Sequence, residues 1–95
     1  MKKTFKLTHP KIKPARLIEA VRRDVKKYLK REKRKLLPDG VDYWDFDCKF
    51  GPTEVKAEVI LASEISKCIS ETEAESLESF YLEILAKPGY NPKKL

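Results

Sequence analysis

Few side chains in this sequence could act as nucleophiles or hold a metal ion. Cys48, Cys68 and His9 are its only cysteines and histidine, and no CxxC motif occurs. A structural zinc site needs four ligands, and these three residues cannot supply them. Both cysteines fall on predicted apolar stripes, where a thiol is usually unreactive packing. We therefore predict two buried, reduced thiols and no catalytic cysteine–histidine pair.

Paired carboxylates are the second chemical candidate. Asp45 and Asp47 point to one face of a predicted strand, and Asp42 is close by in the sequence. Such a pair can hold Mg²⁺ for phosphoryl chemistry. Lysines on the neighbouring strand would instead neutralise the pair, and no further ligand or base is specified nearby. We predict a solvated strand face, no metal site, no cofactor and no enzymatic activity, with Mg²⁺ binding as the alternative.

The strongest functional signal is an uneven distribution of charge. Residues 1–38 carry 15 Lys and Arg against 3 acidic residues, a formal charge of +12. Residues 39–95 carry 6 Lys against 12 acidic residues, a formal charge of −6. Such asymmetry is a recognised indication of polyanion binding. It would equally suit attraction between the two halves, within one fold or between two copies of it.

One long helix would carry most of the cations. Pro14 suits a first helical turn, whereas Pro38-Asp39-Gly40 ends the element, so we predict a helix over residues 14–37. Its core-facing stripe recurs at three- and four-residue steps. This stripe consists of Leu17, Ile18, Val21, Val25, Tyr28, Leu29 and Leu36. Glu32 also falls within the stripe, which suggests that the last two turns project beyond the core.

The opposite side of this helix is basic over about 27 Å, at about 1.5 Å rise per residue. We call this surface the basic strip. It consists of Arg16, Arg23, Lys26, Lys27, Lys30 and Arg34, with Lys26 at its border. Lysine and arginine side chains along such a length could follow the backbone of a nucleic acid.

Apolar and polar residues alternate with a period of two in three stretches, and this alternation predicts three strands. Residues 3–8 form a first strand, and residues 41–50 and 54–61 form a hairpin around Gly51-Pro52. A two- or four-residue loop places the apolar faces together. With two loop residues, Asp47 would lie opposite Lys56 and Lys49 opposite Glu54. The inward face of the second hairpin strand would then consist of Val55, Ala57, Val59 and Leu61.

A helical period returns after the hairpin. We predict helices over residues 63–69 and 72–87, separated by a break with two overlapping capping boxes, and a loose tail over residues 88–95. The β-α-β-β-α order predicts a single α+β domain built as a two-layer sandwich. Both helices would cover one face of a three-stranded sheet of order 1-3-2, as in a ferredoxin-like fold that lacks its last strand.

Four stretches of the sequence resemble a family of small bacterial proteins classed only as a domain of unknown function. They are Lys2-Lys3-Thr4-Phe5, Leu7-Thr8-His9-Pro10-Lys11-Ile12-Lys13, Trp44-Asp45-Phe46-Asp47-Cys48 and Leu77-Glu78-Ser79-Phe80-Tyr81. The resemblance covers nearly the whole chain. It implies a compact cytosolic bacterial protein, and it carries no assigned activity or site.

The sequence therefore predicts a non-enzymatic binding protein. Its expected partner is RNA or a ribonucleoprotein surface, engaged through the basic strip. The alternative is a protein-interaction module or a homodimer, in which the helix docks on an acidic protein surface. No stretch approaches the ~20 apolar residues of a membrane span. The basic start is not followed by the apolar run of a signal peptide. We therefore expect a cytoplasmic location and no membrane partner.

Overall fold

The computed structural model describes residues 1–92, which form four strands and two α-helices. The elements are β1 (Lys2–Lys6), α1 (Pro14–Lys33), β2 (Tyr43–Gly51), β3 (Glu58–Ile60), α2 (Ile65–Ala74) and β4 (Ser79–Gly89). A single 3-10 turn, Ala62–Glu64, leads into α2. The strands form one antiparallel sheet of order β1-β4-β2-β3. The α+β class is confirmed, the three-stranded sheet and its 1-3-2 order are wrong, and the ferredoxin-like arrangement is not confirmed.

The core lies between the two helices and one face of the sheet. β4 runs through its centre, and Phe80, Leu82 and Ile84 have no exposed surface. The rings of Phe5 and Phe80 stack across the β1–β4 pair with their centroids 5.3 Å apart. The helices close this face with Ile18, Val21, Val25, Ile65 and Ile69. Both helices therefore cover the same face, as predicted.

β4 occupies the place where a helix over residues 72–87 was predicted. Phe80, Leu82 and Ile84 alternate onto the core face, but Tyr81 on the other face is also only 3% exposed. Residues 80–82 are therefore buried on both faces of the sheet, and periodicity alone cannot distinguish such a continuous apolar run from a buried helix. Residues 79–89 form a strand because they hydrogen-bond to β1 on one side and to β2 on the other.

The predicted break near residues 70–72 is also wrong, because α2 continues through it to Ala74. Thr72 is buried, and its hydroxyl donates a hydrogen bond to the Ile69 carbonyl at 2.6 Å. The helix ends because Ser76 adopts a φ of 52°. The N–H of Ser76 then donates to the Glu73 carbonyl, and that of Leu77 donates to the Thr72 carbonyl, each at 3.1 Å. This is a Schellman motif with serine in the left-handed position that glycine usually takes.

The β2–β3 hairpin forms, but in a different register from the predicted one. Phe50 pairs with Glu58, so the seven residues 51–57 connect the last pair of the ladder. Side chains of a strand alternate with a period of two, so a connection with an odd number of residues turns to the core the face of β3 that an even number would turn to solvent. Ile60 now packs against the core, and Lys49 pairs with Val59 rather than with Glu54. The residues that turn outward are Val55, Val59 and Leu61.

The connection between β2 and β3 depends on a glycine at its start. A Cβ atom added to Gly51 would lie only 2.7 Å from the Cα of Ala57. The chain can therefore fold back this closely only where no side chain is present. The sequence shows Gly51-Pro52 as a turn, but it does not show that the loop extends as far as Ala57.

α1 ends at Lys33, four residues before the predicted boundary. Leu36, which was predicted to belong to the core-facing stripe, is almost fully exposed. Glu32 was predicted to mark a projecting end, but it is buried, and its Oε2 lies 2.6 Å from Lys35 Nζ. This contact with Lys35 lowers the pKa of Glu32. Trp44 Nε1 donates to the Lys35 carbonyl at 2.9 Å, which holds the segment after α1 against β2.

The two ends of the described chain also differ from the prediction. β1 spans Lys2–Lys6 rather than residues 3–8. Residues 88 and 89 of the predicted loose tail belong to β4. The following residues are held as well, since Tyr43 Oη donates to the Tyr90 carbonyl at 3.3 Å and the Asn91 N–H donates to Asp42 Oδ2 at 2.7 Å. Residues 93–95 lie outside the described residues.

Candidate nucleic-acid interface

α1 places the basic strip on the side that faces away from the core. Ile18, Val21 and Val25 are buried against the sheet, whereas all six residues of the basic strip are exposed. Five of the six lie within the helix. Arg34 is the C-cap residue, and its N–H donates to the Arg31 carbonyl at 3.3 Å, so the basic strip continues one residue beyond the helix. The structure thus brings together all the residues that the sequence analysis selected.

No carboxylate neutralises the basic strip within residues 1–92. Every ion pair formed in this part of the chain involves Lys35 or Lys87. Glu19 precedes Arg23 by four residues, a spacing that allows an ion pair on a helix surface, but these two side chains do not form one. The cations of the strip are therefore free of direct ion pairs in the described part of the chain.

α2 runs antiparallel to α1, and the groove between the two helices enlarges the candidate interface. Leu29, near the end of α1, and Ala62, before α2, line one pocket, while Ile18, near the start of α1, and Thr72, near the end of α2, line another. A groove of about 470 Å³ lies between the two helices. Its lining includes Arg23 and Lys26, so the groove opens directly beside the basic strip.

Arg22 is a candidate residue that the sequence analysis did not select. Its side chain leaves α1 toward α2, where Nη1 donates to Ser66 Oγ at 2.6 Å and Nη2 donates to Ser70 Oγ at 2.5 Å. These partners are 44 and 48 positions away in the sequence. Helical periodicity places Arg22 beside the core-facing stripe, and nothing in the sequence shows which element would pack there.

The carboxylates of β2 are occupied by a lysine from the next strand. Lys87 Nζ lies 2.6 Å from Asp47 Oδ1 and 4.0 Å from Asp45 Oδ2. Lysine neutralisation was predicted, but the expected partner Lys56 is wrong, because β3 pairs only with residues 48–50 and Asp47 pairs with Leu85 of β4. The hydrogen bond to Asp47 is the main reason that the pKa of Lys87 is raised. Among the described residues, no cluster of three His, Cys, Asp or Glu could hold a metal ion.

The thiols are free, and their environments do not favour nucleophilic chemistry. Cys48 is buried, as predicted, and Cys68 is only partly buried. Burial, followed by the charges of Asp47 and Asp45, raises the pKa of the Cys48 thiol to about 11. A thiol with this pKa is almost entirely protonated near neutral pH, and the nucleophile would be the thiolate. His9 is exposed, and its Nδ1 accepts a hydrogen bond from the Lys11 N–H at 3.0 Å.

The fold and the candidate interface together define a small α+β protein with an exposed cationic helix. The chain belongs to the Family of unknown function (DUF6172), whose model matches residues 1–95. This confirms the resemblance to an uncharacterised family. The comparison with curated proteins and the comparison with solved structures each returned no match. Neither helix among residues 1–92 combines the length and the apolar character needed to cross a membrane.

Proposed function

We propose that this protein is a non-enzymatic binding protein whose partner is RNA or the RNA of a ribonucleoprotein surface. The proposal rests on one observation: six exposed lysines and arginines follow one helix for about 27 Å without a carboxylate partner among residues 1–92. Each phosphate that such a side chain neutralises releases condensed counterions, which gives affinity without sequence preference.

The open face of the sheet is a weaker candidate for RNA binding than the helix. RNA-binding sheets present two or three aromatic rings on which bases stack. Tyr43 is exposed on this face, but Tyr81 is buried there and its hydroxyl donates to Glu83 at 2.8 Å. Asp45 and Asp47 lie on the same face, where they pair with Lys87 and leave it less available to a phosphate. We therefore expect phosphate contacts by α1, rather than base stacking on strands, to dominate the affinity.

The test is charge reversal within the basic strip. Lys27→Glu combined with Lys30→Glu changes two exposed side chains at the middle of the strip. The matched control is Lys6→Glu combined with Lys56→Glu, which makes the same change in net charge on exposed residues away from α1. Fluorescence anisotropy with a labelled RNA, repeated at several salt concentrations, gives both the affinity and its salt dependence.

We expect the strip variant to bind at least about tenfold more weakly than the control at low salt. Its slope of log affinity against log salt should be smaller by roughly 1.4, at about 0.7 for each lost contact with single-stranded RNA. Equal losses for the two variants would show that overall charge, and not this surface, governs binding. No detectable binding by the unmodified protein at low salt would refute the proposed function.

A second candidate partner is another copy of this chain. Four exposed glutamates occur along the segment where α2 ends and β4 begins, namely Glu71, Glu73, Glu75 and Glu78. Glu73 and Pro14 line the same small pocket, so these glutamates lie near the start of α1 and not near the C-terminal half of the basic strip. The basic strip of one copy could therefore dock on the glutamates of another. Sedimentation velocity should then show a mass that rises with concentration and falls with salt, and a monomer at all salt concentrations would exclude this candidate.

A further inference from the structure

The groove between α1 and α2 combines an apolar floor with a rim of hydrogen-bond donors. The floor consists of Val25, Leu29, Ala62, Ile65 and Ile69. The rim consists of Arg22, Arg23, Lys26, Ser63 and Ser66. A volume of about 470 Å³ is within the usual range for sites that take a small molecule or one group of a larger ligand. The lining thus suits a ligand with a flat, weakly polar body and an anionic part.

Arg22 gives the groove a fixed positive charge. Its guanidinium is held by the hydroxyls of Ser66 and Ser70, which are neutral acceptors, and it pairs with no carboxylate within residues 1–92. A guanidinium has five N–H donors, so donors remain for a ligand after these two bonds. Each serine oxygen that accepts from Arg22 also keeps its own O–H for donation. The rim is therefore organised before any ligand arrives, which reduces the entropy lost on binding.

The groove is continuous with the basic strip, which indicates that its ligand is part of the molecule bound on that strip. Arg23 and Lys26 belong both to the basic strip and to the lining of the groove. A phosphate between these two side chains would leave its attached base within reach of the apolar floor. A duplex keeps its bases stacked and paired, and extruding one costs free energy, whereas a single strand offers unpaired bases freely.

We propose that the groove receives one unpaired nucleotide of a bound RNA, so that the protein prefers single-stranded RNA to duplex RNA. This inference rests on the proposed RNA-binding function. The phosphate of that nucleotide would contact Arg23 and Lys26. Its base would lie on the floor, with Arg22 and Ser66 donating to acceptors on the base edge.

The experiment compares a labelled single-stranded RNA with a blunt RNA duplex in anisotropy titrations at one salt concentration. Ser63→Trp introduces a bulky ring at the exposed mouth of the groove, while Arg22→Gln removes its fixed charge. Two variants are used because either could disturb packing, and far-UV circular dichroism with thermal melting verifies that each folds. Lys27→Glu with Lys30→Glu, which lies on the basic strip outside the groove, serves as the comparison variant.

We expect the unmodified protein to bind the single strand at least about fivefold more tightly than the duplex. A folded groove variant should lose this preference and keep its duplex affinity, whereas the strip variant should weaken on both RNAs. Equal affinities of the unmodified protein for the two RNAs would overturn the groove proposal and leave the proposed function standing. An unchanged preference in both groove variants would also overturn it. Failure to bind either RNA at low salt would overturn both proposals together.

Discussion

Two leucines of β4 test whether residues 79–89 are a strand, because a strand and a helix give them opposite roles. Leu82 is 0% exposed in the core, whereas Leu85 is 40% exposed on the open face of the sheet, opposite Asp47. In a helix over residues 72–87, Leu85 would belong to the core-facing stripe and Leu82 would lie outside it. Truncating each leucine to alanine therefore distinguishes the two structures with the same chemical change.

The expected magnitudes follow from burial. Leu82→Ala should lower the free energy of unfolding by about 2–5 kcal/mol, because it removes the transfer free energy of a buried side chain and leaves a cavity. Leu85→Ala should lower it by less than about 1 kcal/mol, because water already reaches this side chain. Since 1 kcal/mol shifts the melting temperature of a domain of this size by about 4–8 °C, Leu82→Ala should melt at least about 8 °C below the unmodified protein.

Urea unfolding provides the measurement. Trp44 is the single tryptophan and lies at the start of β2, so its fluorescence reports on the unfolding of the sheet. Far-UV circular dichroism follows the loss of secondary structure in the same titration. Equal m values would show that each variant exposes the same surface on unfolding. Leu82→Met keeps the volume and should cost less than about 1.5 kcal/mol, which verifies that packing is being measured. A cost for Leu85→Ala equal to or above that for Leu82→Ala would refute the strand assignment.

Two further predictions concern the end of α2 and the buried thiol. Ser76→Gly should raise the free energy of unfolding by about 1 kcal/mol in urea titrations, because glycine adopts a positive φ without the cost of a Cβ atom. Ser63→Gly, where φ is not positive, should lower it, and the opposite order would contradict the helix-end geometry. The pKa of the Cys48 thiol is about 11 in the folded protein and 9.0 ordinarily. The contribution of this thiol to the free energy of unfolding is therefore fully present below pH 9. It should fall as the thiol of the unfolded chain ionises and should stop falling above about pH 11. The difference in unfolding free energy between the unmodified protein and Cys48→Ala should therefore narrow by roughly 1 kcal/mol from pH 8 to pH 10, and a constant difference would contradict the raised pKa.

The sequence carried enough information to predict α1 and the basic strip. A stripe at three- and four-residue steps, with Pro14 before it and Pro38 after it, permits few alternatives to a helix. The cations opposite that stripe must then face solvent, whatever packs on the apolar side. The end of α1 could not be predicted in the same way, because Leu36 continues the period although it lies beyond the helix.

The remaining elements depend on contacts between distant parts of the chain. Phe80, Tyr81, Ile84 and Leu85 satisfy a helical spacing, and only pairing with β1 and β2 makes them a strand. The hairpin register likewise depends on the length of the connection after Gly51. The groove could not be predicted at all, since it exists only where α2 packs beside Arg22. Local patterns define single elements, but they do not specify which elements become neighbours.

The position of β4 has a consequence for the order in which the protein folds. Within residues 1–92, β4 is the last strand along the chain, yet it lies between β1 and β2 and supplies the most deeply buried side chains of the core. Until residues 79–89 are available, β1 has no partner in the sheet, and the β2–β3 hairpin has only its own short ladder. Contacts that join the two ends of a chain slow folding, because a long loop must close before they form. During synthesis on the ribosome, the domain should therefore stay unfolded until β4 has emerged, and the apolar stripe of α1 stays uncovered for the same interval.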